Sequence, residues 1–179
     1  MAPRRATPAL ARVVLASPIG RLTVHATARG VCAIDVGRRG RGSVAGNGRA
    51  RPAPRSATAG EARRAFRHAS RAAHELREYF AGGRRRFTVP LDLAGTDFQR
   101  RAWAAMRRVP YGATMSYAQQ ARRAGAPRAV RAVGSANGAN PVPVIVPCHR
   151  IVASDGSLGG YALGLAVKRR LLALESRRP

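Results

Sequence analysis

The chain has 179 residues, 45% of them hydrophobic, which suits one compact unit or two small ones with a core of their own. Lys+Arg number 33 against 8 Asp+Glu, a formal net charge of +25, and every basic residue except Lys168 is an arginine. No apolar run reaches the roughly 18 residues of a membrane-spanning helix, and the 4 His and 2 Cys lack zinc-ligand spacing, so no metal and no cofactor is expected.

Two explanations of the arginine excess stand side by side. Arginine forks onto phosphates and releases counterions, which favours a nucleic-acid partner. Codon bias in a GC-rich genome raises Arg, Ala, Gly and Pro together, and all four are abundant here. Residues 1–12 carry arginines but no long apolar stretch and no clear cleavage site, so they read as a loosely packed start, not a signal peptide. Cys32 and Cys148 are then expected as thiols in a reducing cytoplasm.

Residues 13–36 read as strands of an antiparallel hairpin or meander. Leu22, Val24 and Ala26 alternate, as do Cys32, Ile34 and Val36. Turn residues fall at Pro18-Ile19-Gly20 and Arg29-Gly30. Residues 37–60, rich in Gly, Arg, Pro, Ser and Ala, bury too little to order themselves and read as a flexible basic loop. Residues 61–80 read as a helix with Phe66, Ala69, Ala73, Leu76 and Phe80 inward. Residues 87–93 look like a final strand, and a boundary follows.

From Asp97 the pattern is helical. Phe98, Ala102, Ala105 and Met106 mark a first helix that ends before Pro110-Tyr111-Gly112. Ser116 and Gln119 have capping-box spacing and open a second helix ending near Gly125. Pro127 suits the first position of a third helix over 127–136. Two short helices about a glycine turn make a helix-turn-helix pattern. The third carries Arg128 and Arg131 among Ala129, Ala132 and Gly134. Small residues there allow close approach either to a DNA groove or to another helix. Residues 140–147, N-P-V-P-V-I-V-P, are expected to be stiff and extended, delivering Cys148-His149-Arg150 at their end. Residues 164–175 close the chain as a helix. Leu165, Lys168, Leu171 and Leu172 share a face with Glu175.

A cysteine after a rigid segment and beside a histidine suggests a nucleophile. Only the thiolate attacks, so something must take the proton. Adjacent residues of an extended chain point apart, so His149 reaches Cys148 only through a turn or a water. An inward Glu175 needs a partner, and a histidine serves, giving a Glu–His–(water)–Cys relay. A buried packing cysteine and an exposed helix-end glutamate remain open on spacing alone.

The stretch 140–152 resembles the active-site signature of the O6-alkylguanine-DNA alkyltransferase family, with P-C-H-R followed by I-V as its most specific part. The likeness runs back through Phe98-Gln99, Trp103, Val109-Pro110-Tyr111-Gly112, Ser116-Tyr117 and Arg131-Ala132-Val133-Gly134. It runs forward through Gly159-Gly160-Tyr161, Gly164, Lys168 and Leu171-Leu172 to Glu175. Ser17-Pro18-Ile19-Gly20 and Arg29-Gly30 resemble the family's N-terminal strands.

That resemblance implies an α+β protein. Residues 1–93 would form a ribonuclease-H-like domain, a small antiparallel sheet with a helix. Residues 94–179 would form a mostly helical, winged helix-turn-helix-like domain that binds DNA and accepts the alkyl group. Cys148 would be the acceptor, His149 its base through a water, Glu175 the orienting carboxylate and Asn140 the holder of the turn. Tyr117 would donate to guanine N3, backbone groups of Cys148 and Ile151 would accept from the exocyclic amine, and the Ala162 amide, beside Tyr161, would face O6. Arg131 would fill the gap left by a flipped guanine, with Arg128, Ala129, Ser116 and Gly134 also at the DNA. The implied partner is double-stranded DNA with alkylated guanine, O4-alkylthymine being a further candidate, and the chain is expected to act as a monomer. Leu163 stands where relatives frequently have a small residue, which bears on pocket size. The competing readings are a lesion-binding relative without efficient transfer, in which tryptophan replaces the acceptor cysteine, a general basic nucleic-acid binder, and a Cys–His hydrolase.

Overall fold

The computed structural model describes residues 10–38, 41–45 and 57–176. The first strands are β1 (Ala11–Leu15), β2 (Arg21–Thr27), β3 (Gly30–Arg38) and β4 (Arg41–Ala45), joined as an antiparallel meander in the order β1-β2-β3-β4. The β1–β2 turn is closed by reciprocal backbone bonds between Ser17 and Gly20 at 3.1 Å. Gly20 has φ +120, and a Cβ there would lie 2.4 Å from the Gly37 carbonyl oxygen, so only glycine fits.

Leu22, Val24 and Ala26 of β2 are fully buried, as their alternation requires. The expected alternation in β3 fails at one residue. Pairing steps from His25↔Ala33 to Ala26↔Val31, which leaves Cys32 as the extra residue of a bulge. Val31, Ile34 and Val36 therefore fill the core, and Cys32 is half-buried. The loop expected over 37–60 is also partly ordered: β3 runs through Gly37 to Arg38, β4 occupies Arg41–Ala45, and the next helix begins at Ala59. Residues 39–40 and 46–56 of that expected loop, and residues 1–9 of the expected loose start, lie outside the described residues.

Helix α1 (Ala59–Phe80) packs on the sheet. Thr58 caps it: the Thr58 hydroxyl accepts from the Glu61 amide and the Glu61 carboxylate accepts from the Thr58 amide. Its inward face is Ala65, Ala69, Ala72, Ala73, Leu76 and Tyr79, and the alanines let the helix lie close to the strands. Phe66 was expected inward but is 57% exposed, because the buried arc is centred between Ala65 and Ala69 and leaves Phe66 at its rim. The strand expected over 87–93 is reduced to one bridge, Leu91 beside Val31. Pro90, with no N–H to donate, offers only its carbonyl, which accepts from Val31 at 2.8 Å.

The C-terminal part holds α2 (Asp97–Arg107), α3 (Tyr117–Arg123), α4 (Val130–Gly138) and α5 (Leu165–Ser176), with a two-strand parallel pair, β5 (Met115–Ser116) and β6 (Ile151–Val152). Capping boxes Thr96/Gln99 and Ser116/Gln119 open α2 and α3. The third helix expected from 127 starts at Val130, with Arg128 and Ala129 in the preceding turn. No side chain caps this end, and Ala129 is held at φ −92, ψ 38. Three side-chain bonds lock the helices together. Trp103 Nε1 donates to the Ala136 carbonyl at 2.8 Å, and the buried amides of Gln120 and Asn137 exchange bonds, both at 2.8 Å. Such fully paired buried amides fix one arrangement of α2, α3 and α4, since any other leaves a polar group unsatisfied.

Residues 141–150 are all buried. They are not simply extended: Val144 has φ 74, and the Val146 amide donates to the Val142 carbonyl at 2.9 Å. The prolines at 141, 143 and 147 fix their own φ but leave Val144-Ile145 free to turn, a costly conformation for a β-branched residue. The Pro141 carbonyl accepts from the Ile34 amide of β3 at 2.8 Å, which hangs this segment on the N-terminal sheet.

Candidate active site

Cys148, His149 and Arg150 form a single 3₁₀ turn that ends the proline-rich segment and leads into β6. Asn140 ties the two ends together. Its Nδ2 donates to the Val146 carbonyl at 2.8 Å and to Cys148 Sγ at 3.2 Å, while its Oδ1 accepts from the Val142 amide at 3.1 Å. The thiol is 7% exposed. Burial pushes its pKa up, opposed chiefly by the Asn140 hydrogen bond and more weakly by Tyr161 and Lys168. At rest Cys148 is therefore a protonated thiol that needs a base.

His149 is fully buried, and its Nε2 lies 2.8 Å from Glu175 Oε1. Burial drives the His149 pKa down, so the ring is neutral near pH 7 even though Glu175 pulls the other way. For Glu175, burial alone would raise the pKa; the His149 and Arg150 hydrogen bonds outweigh it and hold the carboxyl at about 2. A carboxylate facing Nε2 makes that nitrogen the N–H donor and leaves the lone pair on Nδ1. Nδ1 is buried and has no hydrogen-bond partner among the described residues. The chain thus holds a neutral imidazole with its basic nitrogen free.

Glu175 is the hub of this network. Arg150 grips it with two donors at 2.9 Å, Tyr79 of α1 donates at 2.6 Å and the Gly112 amide at 3.2 Å. Arg150 also donates to the Val109 carbonyl at 2.7 Å. These partners satisfy a buried carboxylate that would otherwise be very costly. Neither Arg150 nor Tyr79 was singled out as a partner of Glu175 from the sequence. Tyr79 had a legible signal, its place three residues after Leu76 on the apolar face of α1. Of the inward face proposed for α5, Lys168, Leu171 and Glu175 are buried, whereas Leu165 is 43% exposed.

This network makes the fold sensitive to acid. Below about pH 6.5 the unfolded chain takes up a proton at His149 that the native ring resists. Below about 4.5 it does the same at Glu175, whose native carboxylate holds out to about 2. Both groups contribute stability above those unfolded values and lose it as pH falls. The melting temperature of the wild type is expected to decline as pH falls from about 7 to 4 and further below about 4.5; thermal unfolding across pH checks this, and a flat profile counts against it.

Cys148 opens onto a cavity of about 370 Å³ lined by Tyr117, Gly134, Asn137, Gly138, Gly160, Tyr161 and Ala162. The Tyr117 hydroxyl donates to the Gly160 carbonyl at 3.2 Å. The Tyr161 hydroxyl is buried and has no hydrogen-bond partner among the described residues. Lys168, fully buried, donates to the carbonyls of Ile151 and Leu158 and reaches that of Gly160 at 3.5 Å, so it staples the cavity wall. Ile151 does not line the cavity: its side chain is buried, its amide donates to the Cys148 carbonyl, and its own carbonyl accepts from Lys168. Leu163 points away too, 5% exposed, into a separate cavity with Ile19 and Val167, so it does not narrow the space at Cys148.

Of the residues read as DNA contacts, Ser116 caps α3, and Gly134 lines the cavity rim. Arg131 is exposed on α4 one turn before Gly134, on the same helix face. Arg128 is exposed and Ala129 half-buried in the turn before that helix.

Residues 11–93 match the 6-O-methylguanine DNA methyltransferase ribonuclease-like domain, and residues 97–177 match the DNA binding domain of the same family. A methylated-DNA–protein-cysteine methyltransferase of Mycolicibacterium paratuberculosis is 52% identical over 106 residues, 59% of this chain and 64% of the relative. One from Methanosarcina acetivorans is 49% identical over 110 residues, 62% of this chain and 69% of the relative. The chain thus spans about two thirds of the length of these relatives. The crystal structure of Mycobacterium tuberculosis OGT in complex with DNA superposes with a TM-score of 0.75 at 40% identity, covering 91% of each chain. With an α+β fold, the buried Cys-His-Arg turn and both halves matched, this chain belongs to the 6-O-methylguanine DNA methyltransferase family.

Proposed function

We propose that the chain repairs DNA by direct reversal, moving the alkyl group of O6-alkylguanine irreversibly onto Cys148. The observation that carries this is the buried His149, paired with Glu175 of α5 and with Nδ1 free, in the same turn as a thiol that faces a base-sized cavity. In the proposed step His149 Nδ1 takes the thiol proton through a water. The thiolate sulfur attacks the alkyl carbon, the carbon–O6 bond breaks, and the departing guanine recovers the proton. Glu175 fixes the tautomer and stabilises the imidazolium that forms transiently. Asn140 donates to the developing thiolate.

The lesion base is unreachable in a stacked duplex, so it must flip into the cavity. Tyr117 and the wall Tyr161–Ala162 would hold it there, with the Cys148 carbonyl, already bonded once, using its second lone pair. Arg131 would enter the vacated stack while α4, with Ala129 and Gly134, approaches the minor groove and Arg128 and Ser116 meet the backbone. In this reading residues 94–179 bind DNA and accept the group, and residues 1–93 brace the site through Tyr79 and β3. The protein acts in the cytoplasm as a monomer on double-stranded DNA. No described helix is long and apolar enough to cross a membrane.

Single-turnover assays with a duplex carrying a radiolabelled O6-methyl group test the acceptor. The wild type is expected to take up label stoichiometrically, and Cys148→Ser to bind the duplex yet take up none. Label on Cys148→Ser overturns the assignment.

A further inference from the structure

On the far side of the Cys-His-Arg turn lies a second and larger cleft, about 840 Å³, which shares no lining residue with the Cys148 cavity. Phe87, Val89, Leu91, Val109, Ile145 and Pro147 give it apolar walls. Arg85, Arg86, Arg107 and Arg108 surround it, all four exposed. Among the described residues none of them pairs with a carboxylate, and no Asp or Glu lines the cleft. Elsewhere the chain does spend its few acids on arginines, as at Arg84–Glu78 and Arg100–Asp97. Tyr111 also lines the cleft, its ring within 5.8 Å of the Arg85 guanidinium carbon and 5.9 Å of that of Arg150.

Four like charges converging without counter-charge repel one another, and an anion relieves that. Arginine forks suit phosphate oxygens, and a concave apolar lining with a cation-flanked ring suits a planar base. We propose that this cleft is a second ligand site that takes a nucleotide unit, phosphate among the four arginines and base against the apolar wall, whether as a free nucleotide or as part of a single strand.

Calorimetric titration of the whole protein with thymidine monophosphate, a single-stranded tetrathymidylate and inorganic phosphate tests this. The double variants Arg85→Ser/Arg86→Ser and Arg107→Ser/Arg108→Ser are each expected to weaken nucleotide or strand binding about tenfold, at a thermal midpoint no lower than that of the wild type. Arg63→Ser/Arg67→Ser, the same charge change on the exposed face of α1, is expected to change it less than twofold. Monophosphate binding identifies a free nucleotide as ligand, and binding of the tetranucleotide alone identifies a strand. The proposal is overturned if neither binds, if inorganic phosphate binds as tightly as the nucleotide, or if the α1 variant loses as much as the cleft variants.

Discussion

Glu175→Gln is expected to slow alkyl transfer about a hundredfold or more, the scale of a lost general base, while leaving affinity for duplex DNA nearly intact. The amide keeps the shape of the carboxylate but not its charge. His149 then has no anion to stabilise the imidazolium, and Arg150 keeps a buried guanidinium with no counter-ion. Breaking such a pair is itself destabilising, by roughly 3–5 kcal/mol. Tyr79→Phe, which removes one hydrogen bond to Glu175 at 2.6 Å and no charge, is therefore the companion variant. It is expected to slow transfer less than the glutamine variant. Transfer rates across pH, with binding measured separately and folding checked at the same temperature, decide the matter. Equal rates for wild type and Glu175→Gln at every pH contradict the relay.

Arg131→Ala is expected to slow transfer strongly on a duplex and barely on free O6-benzylguanine. Arg131 is exposed on α4 one turn from the cavity rim, and no ion pair holds it among the described residues. Filling the vacated stack compensates an unstacking cost of a few kcal/mol; a free base has no stack to leave. Arg128→Ala removes a single phosphate contact in this account. It is expected to weaken binding and lower the salt dependence without a selective effect on flipping. Rates on both substrates at saturating protein separate the cases. If Arg131→Ala slows the duplex and the free base by the same factor, the residue supports the pocket and not the flipping.

Much of this was legible in the sequence because the signals are local. The capping box at Ser116, the alternation in β2 and the C-terminal helix that carries Glu175 all follow from short-range spacing. The P-C-H-R segment marked the site. What was not legible depends on partners distant in sequence. The bulge at Cys32 is set by β2, not by β3's own pattern. Tyr79 meets Glu175 across 96 positions of chain, and Arg150 adds two bonds to the same carboxylate. The turn at Val144 is concealed by three prolines that read as stiffness, although none fixes φ at that residue. Leu163 left pocket size open because sequence alone does not show that its side chain turns toward Ile19 and Val167.

The central claim is a single irreversible transfer to Cys148, since a thioether offers water no leaving group at neutral pH. Intact-mass and peptide-mass measurement after incubation with excess duplex carrying O6-methylguanine tests it most directly. The expected result is one added methyl per molecule, on the peptide containing Cys148, with at most one lesion repaired per molecule however long the incubation. Sustained turnover, or the methyl on Cys32 instead, contradicts the account.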